Sequence, residues 1–525
     1  MSAMSTRKKQ WTTTWDGLPG EIRLLILKAL MRDGCTLGRL ATVSREWQTE
    51  LERYNFARIK LTPSRLVDFG SMIRRRRALV RYIWFCLELD DYDCAKCAPV
   101  RGILTDAEWE EEFAVSDTRD CPITTAFQNL FSVLGTWDLH GDLMLDISIY
   151  SPSDSKHWFK YLTFLPDAPS DMLGRGDVQQ TTGTKVYNDP QHGWVAGVRH
   201  SAPPTAIRKV FHPVMGEGPF DSEQLEHQWW DQLPLVPAVT SLLLRQQNRR
   251  RWKPGSLAHM LGRFPSLREI HYEPWREWDF MQSHTDRKYQ RLFKSIPGVN
   301  HNLKRLVVFE NFNQQYPVLM RRCLNGVDLS GCDRTRRPDP AVGRMVALAS
   351  LKLEHLAASF IADASHFFKI EPSWEWPNLT SLALTSTLLT PDENPVEIGA
   401  MLQAAAAAVR KMPQLETMEI WNGRKGLAAL FQYRVFRCRW HATITWRGTW
   451  KLAMEPSVLQ TWEAVVQQYG GDGRLDLVQE RLDEATIKSH GDAIHYLMLS
   501  SEVIRPTSLR QIRMEQKVLE GMKTV

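Results

Sequence analysis

Cysteine is scarce in this chain: eight residues, irregularly spaced over 525, do not form a disulfide framework. Long apolar runs are missing as well. No stretch of 18 or more apolar residues occurs, and the polar opening "MSAMSTRKKQWTTTW" holds no apolar segment of a signal peptide. Residues 1–15 read as a disordered N-terminus. Nor is there an excess of one charge. Lys and Arg number 66 against 60 Asp and Glu, a net of +6, which gives no global case for binding nucleic acid or membrane. These absences point to a reducing compartment: cytosol, nucleus, or both.

Catalytic signatures are also absent. There is no G-x-x-x-x-G-K-[ST] phosphate loop, no H-E-x-x-H, no G-x-S-x-G and no G-x-G-x-x-G. The expectation is therefore a protein that is not an enzyme and takes no cofactor. What the chain does have is apolar and aromatic mass, 43% and 10% of residues, with twenty tryptophans. That describes a folded chain, and its length exceeds what one compact core usually serves.

Near the start, "LPGEIRLLILKAL" (residues 18–30) predicts a helix. Pro19 suits the first turn, and Glu21 there complements the helix dipole. Its apolar residues Ile22, Leu24, Leu25, Ile26, Leu27, Ala29 and Leu30 cover more than the single stripe of a surface helix. A break at Gly34 and an N-cap at Thr36 precede "LGRLATVSREWQTEL", where Leu37, Leu40, Ser44, Trp47 and Leu51 recur at helical spacing beside Val43. Residues 16–58 thus form a small helical module that buries little alone. Its surplus apolar surface should meet another domain or another protein.

Further on, a pattern Pro-x-apolar-x-x-apolar-x-apolar repeats, each time ending a helical stretch and opening a strand. It occurs in "VPAVTSLLL" (from Pro237), "FPSLREIHY" (from Pro265), "WPNLTSLAL" (from Pro377) and "MPQLETMEI" (from Pro413). "NHNLKRLVV" lacks the proline, and "ASLKLEHLAA" is weaker. Intervals from Val239 to Leu267, Leu267 to Leu303 and Leu379 to Leu415 are 28, 36 and 36 residues. They sit at or above the range of leucine-rich repeats, which predicts an irregular solenoid of strand-plus-helix units over residues 59–440. "VRYIWFCLEL" (Val80–Leu89) and "GDLMLDISIY" (Gly141–Tyr150) are read as its first strands. About 151–235 is a polar insertion projecting from it, and "RRCLNGVDLSGCDRTRRPDP" (Arg321–Pro340) a shorter loop. In 441–525, a C-terminal cap, "ATITWRGTWKL" predicts a hairpin about Arg447 and Gly448. Pro456 then opens a helix with Val458, Trp462, Val465, Val466 and Tyr469 on one stripe.

Three groups carry possible chemistry. Cys94 and Cys97 form a C-x-x-C pair with Cys86 and Cys121 not far off, but a zinc site needs four ligands and no second pair is present. They read as loop cysteines. His490, Asp492 and His495 in "IKSHGDAIHYL" contain metal-ligand types, yet an offset of five does not put both histidines on one helical face. A helix start capped by Ser489 or Asp492 explains the same residues, so no metal is assigned. The arginine runs Arg74–Arg77 and Asn248–Arg251 read as solvated faces. Arg245, Arg249–Arg251, Arg321 and Arg322 could otherwise read a phosphorylated target.

The N-terminal module resembles the F-box, whose pattern is L-P-x-E-[IL] followed by a second helix with a Val-x-[RK]-x-Trp-like core. Leu18, Pro19, Glu21, Ile22, Ile26, Leu27, Leu40, Val43 and Trp47 fall on its positions. The linker "MRDGCT" is short, and Ser44-Arg45-Glu46-Trp47 keeps only the general form. The whole layout is similar to F-box proteins of filamentous fungi, where "LETMEIWNGRKG" and "IKSHGDAIHYL" look like signature stretches. The resemblance implies an α+β or α/β chain: a three-helix F-box, a leucine-rich-repeat-like solenoid and a cap. It implies docking on a Skp-type adaptor, and through it a cullin, by Leu18, Pro19, Glu21, Ile22, Ile26, Leu27, Val43 and Trp47. The solenoid would hold a protein target for ubiquitination. The alternatives are a scaffold acting outside ubiquitination, or a metal-dependent enzyme using His490, Asp492 and His495.

Overall fold

The computed structural model describes residues 14–32, 37–93, 121–138, 141–168, 188–199, 204–215, 219–220, 222–278, 281–312, 335–436, 441–468 and 475–519. Helices α1 (Gly20–Arg32), α2 (Leu37–Leu40) and α3 (Arg45–Ala57) lead into β1 (Arg58–Leu61), α4 (Pro63–Met72), β2 (Tyr82–Glu88), α5 (Pro122–Leu134) and β3 (Met144–Tyr150). Then come α6 (Pro152–Lys156), the hairpin β4 (Trp194–Val195) and β5 (Val198–Arg199), α7 (Pro204–Val210) and α8 (Glu223–Gln232). Regular alternation follows: β6 (Ser241–Leu244), α9 (Pro254–Leu261), β7 (Glu269–Tyr272), α10 (Gln282–Val299), β8 (Arg305–Phe309) and α11 (Pro340–Ser350). It continues with β9 (His355–Asp363), α12 (Ala364–Phe367), β10 (Ser381–Thr385), α13 (Pro395–Val409) and β11 (Thr417–Arg424). Last are β12 (Leu427–Phe436), β13 (His441–Gly448), α14 (Pro456–Gln468), β14 (Leu475–Arg481), α15 (His490–Leu497) and α16 (Pro506–Leu519).

All strands except β4 and β5 form one open twelve-stranded sheet, ordered as they occur in the chain. Neighbours are parallel except at β11–β12 and β12–β13. The register aligns one apolar row across the sheet: Ile59, Ile83, Leu145, Leu242, Ile270, Leu306, Leu356, Leu382 and Met418. That row faces the helices, whose buried residues join it in a single core that includes Phe127, Trp230, Phe293, Val346, Leu402 and Trp462. Parallel strands covered on both faces need apolar residues on both. The runs "VRYIWFCLEL" and "GDLMLDISIY" meet that need as β2 and β3.

The repeated Pro-led pattern is a turn followed by a strand. Val239, Leu267, Leu303, Leu353, Leu379 and Leu415 each enter the core just before β6, β7, β8, β9, β10 and β11. Proline also opens α4, α5, α9, α11 and α13, where its missing N–H costs no helical hydrogen bond.

Several expectations need correction. The second helix of the N-terminal module is two: α2 ends at Leu40, and Ser44 is the N-cap of α3, its hydroxyl accepting from the Trp47 N–H. There is no hairpin at Arg447–Gly448. β13 runs straight through both residues, paired with β12. Gly448 is there for close approach, since a Cβ would lie 2.9 Å from the Ala428 carbonyl oxygen. The described parts of the 151–235 insertion do not project. Trp158, Phe159, Trp194, Ile207 and Phe211 pack with Trp275 and Trp278 in a core of their own.

The largest correction concerns the C-terminus. α14 and β14 do end the sheet, but α15 and α16 return across its other face. Ala493, Ile494, Leu497, Val503 and Ile504 pack on Val307, Phe309, Ala357, Ala383, Trp421 and Leu430. Small residues at Ala357, Ala383 and Gly423 make room: a Cβ on Gly423 would stand 2.4 Å from the Cβ of Ala493. Gly423→Ala should therefore cost about 1–3 kcal/mol by overpacking, measured by denaturant unfolding. Ala493→Gly in the same chain should recover part of it.

Candidate docking surface

In the N-terminal module α1 packs on α3 through Leu27, Met31 and Leu51, with Trp15, Leu40 and Trp47 around them. Trp15 and Trp47 lie 4.9 Å apart, and Glu46 both accepts from the Trp15 indole and pairs with Arg23 at 3.3 Å. The other side of α1 is bare. Ile22, Leu25 and Ile26 are 43%, 60% and 37% exposed, and Val43 in the turn before α3 is 61% exposed. Spacing of three and four residues puts the first three on one helical face.

Of the expected docking residues, Pro19, Glu21, Ile22, Ile26 and Val43 are exposed, while Leu18 and Trp47 are half-buried. Leu27 is corrected: at 1% exposure it belongs to the module's own core, against Leu51. Leu25 takes its place on the bare face. Its position three residues after Ile22 places it on that face, though nothing local set it apart from Leu27.

The second candidate surface, the sheet face opposite the helices, is occupied. Carboxylates on that face hold the returning chain by its backbone. Glu419 accepts from the N–H groups of Ser500 and Ser501 at 2.7 and 3.0 Å, and Glu273 from that of Arg505 at 2.9 Å. Arg505 pairs with Asp167 at 2.6 Å, and Gln246 donates to the Ser508 carbonyl. Burial pushes the Glu273 carboxyl up against these hydrogen bonds.

The arginines at 245 and 249–251 are part of this construction, not a solvated face. Arg249 is buried with Glu515 of α16, and Arg250 approaches Asp154 at 3.7 Å. Arg251 pairs with Glu277, both half-buried, and Arg245 pairs with Asp146 at 2.7 Å, both buried. None is available to read a phosphorylated target. In the other run, Arg76 pairs with Glu52 and Arg77 lies over Trp137, while Arg74 and Arg75 are exposed. Arg321 and Arg322 lie outside the described residues.

His490, Asp492 and His495 do not converge. His490 is buried, stacked on Phe312 at 4.2 Å and donating through Nε2 to the Asn311 side-chain oxygen at 2.8 Å. Asp492 pairs with Arg513, and His495 packs on Tyr496. Ser489 caps the helix, as its position suggests. Burial pushes the His490 imidazole down to about 3. An unfolded histidine titrates near 6.5, so between those values the unfolded chain binds a proton that the folded chain refuses. Stability therefore falls as pH drops below about 6.5, by about 2 kcal/mol at pH 5 relative to pH 7.5 from this group. His490→Gln should flatten that slope in denaturant titrations at the two pH values. An unchanged slope would mean the ring is not the group responsible.

Cys94 and Cys97 lie outside the described residues. Cys86 is no loop residue: it is buried within β2, its thiol pushed up to about 12 by burial. Among the described residues no group of His, Cys, Asp and Glu is arranged to hold a metal, and no helix is long and apolar enough to cross a membrane. A family of unknown function (DUF6546) matches residues 295–505, from the end of α10 to the segment crossing the sheet. The helical module lies outside that match. No curated protein matches the chain.

Proposed function

We propose that residues 16–58 are an F-box and that the chain is a substrate-recognition subunit of a Skp–cullin–F-box ubiquitin ligase. The observation that carries this reading is the two-sided apolar character of α1. Leu27 and Met31 hold the module together, and Ile22, Leu25 and Ile26 face outward beside Val43. Such a stripe on a short helix is the form of a helix-mediated hydrophobic interface. Strands that follow one another across the sheet, each with its helix on one side, support reading 59–440 as a leucine-rich-repeat-like solenoid. Such a subunit performs no chemistry itself; it raises a target's effective concentration near the ligase.

The partners are then a Skp-type adaptor, a cullin through it, and a protein target, in the cytoplasm, the nucleus or both, with neither membrane nor nucleic acid involved. Because the returning chain covers the sheet face, the target is held on edges, loops or the helical side. Co-expression of the full chain with a Skp-type adaptor tests the reading. Recovery of a one-to-one complex in size-exclusion chromatography is the expected result, and two separate peaks would overturn it.

A further inference from the structure

We propose that a crevice at the carboxyl ends of β9, β10 and β11 binds a carboxylate group of a polypeptide, an acidic side chain or a chain terminus. This concerns a site remote in sequence from the F-box and does not require adaptor docking. Crevices outside the carboxyl ends of strands are where open α/β sheets bind ligands.

A bulge opens the crevice. Leu384 lies opposite Ala358, but the next residue, Thr385, lies opposite Asp363, leaving residues 359–362 without partners on β10. Phe360 within the bulge has φ +61°, an unusual conformation for a bulky side chain. It is held there by its N–H donating to the Thr385 hydroxyl at 2.7 Å. Strain of this kind persists only where the surroundings enforce it, and it clusters at binding sites.

Thr390, Asn422, Arg336 and Arg424 also line the space, which is about 50 Å³. At about 10–15 Å³ for each water, that suits a few waters or one small polyatomic group, not a cofactor.

The hydrogen-bonding inventory decides what it takes. Asp363, the carboxylate in the wall, is satisfied: it accepts from the N–H groups of Ser365 and Thr387 and from the hydroxyls of Ser386 and Thr387. What remains are donors. Arg336 is buried and pairs with Glu310 and Asp286, yet its Nη2 has no hydrogen-bond partner among the described residues. Arg424 is exposed at the mouth of the crevice, and its side chain makes no hydrogen bond or ion pair among the described residues. A ligand must therefore bring acceptors. Burial raises the Glu310 and Asp286 carboxyls, and the Arg336 guanidinium opposes that rise. With the Asp363, Glu310 and Asp286 carboxyl groups around the two guanidinium groups, a ligand bringing one negative charge is repelled less than a phosphate bringing two. Guanidinium groups hold carboxylates through paired N–H donors.

The probe is acetate, followed by saturation-transfer NMR on the full chain, with formate and inorganic phosphate as competitors. Arg424→Ala should lower the acetate signal at least fivefold. Arg424→Lys, which keeps the charge and loses the paired donors, should give an intermediate loss. Arg424 is exposed, so both variants should fold, checked by unchanged melting temperature. An undiminished signal in Arg424→Ala, a Lys variant equal to the parent, or phosphate competing as well as formate does would each reduce the finding to an adventitious ion only and overturn the proposal.

Discussion

Ile22→Asp combined with Leu25→Asp should weaken binding of the full chain to a Skp-type adaptor by a factor of about 100 or more, while its melting temperature stays within a degree or two. The size follows from what the two side chains do. Both are exposed and central on the bare face of α1, and buried apolar anchors at the middle of an interface typically contribute about 2 kcal/mol or more each. Two such losses correspond to at least two orders of magnitude in affinity. Neither residue is among the buried residues that hold α1 to α3, and exposed substitutions of that kind usually change stability by less than about 0.5 kcal/mol.

A control separates docking from folding. Leu27→Asp places a charge in the module's own core beside Leu51, and it should remove adaptor binding by unfolding α1 against α3, visible as lost protease protection of residues 20–57. If the surface pair binds as well as the parent chain in isothermal titration, the bare face is not the docking site. The F-box reading would fall with it.

The strands were legible because local pattern and packing agreed. A turn proline, one valine or leucine entering the core and an alternation of two apolar residues place β6, β7, β10 and β11 without long-range information. β14 carries no such signal. Its outer residues, the polar Gln479 and the charged Glu480 and Arg481, suit an exposed edge strand, and they interrupt the apolar alternation that marks the other strands. β12 was hidden differently. It follows β11 through only Lys425 and Gly426, the latter at φ +75°, and its strand has no leading proline. The apolar pattern of "ATITWRG" was real, but Gly448 looked like a turn when its role is close packing.

For the proposed docking surface the sequence pointed to α1 and to Ile22 and Ile26, which are exposed on it. It could not separate Leu27 from Leu25, since that depends on where Leu51 sits. Least legible was the covered sheet face. Arg249 and Glu515 are 266 residues apart, and nothing local distinguishes an arginine run awaiting such partners from one in solvent.

Those buried pairs set the second large effect. Arg245→Met should destabilise the protein by about 3–5 kcal/mol at pH 8, because it leaves the Asp146 carboxylate buried with its main countercharge gone. Tyr82 still donates to Asp146, which fixes the carboxyl but does not neutralise it. Burial already raises that carboxyl, and Arg245 opposes the rise; without the guanidinium it rises further. A carboxyl raised in the folded state is protonated there while the unfolded chain, titrating near 3.9, has already released its proton. The stability it leaves is therefore fully present at low pH and lost as pH climbs through the raised value. The gap between Arg245→Met and the parent should accordingly narrow from pH 8 to pH 5.5 in urea titrations. Asp146→Asn added to Arg245→Met removes the stranded charge, so the double variant should be more stable at pH 8 than Arg245→Met alone. A single variant with a loss under 1 kcal/mol, constant across that pH range, would mean that solvent reaches Asp146 and that the pair does not brace β3 against the β6 turn.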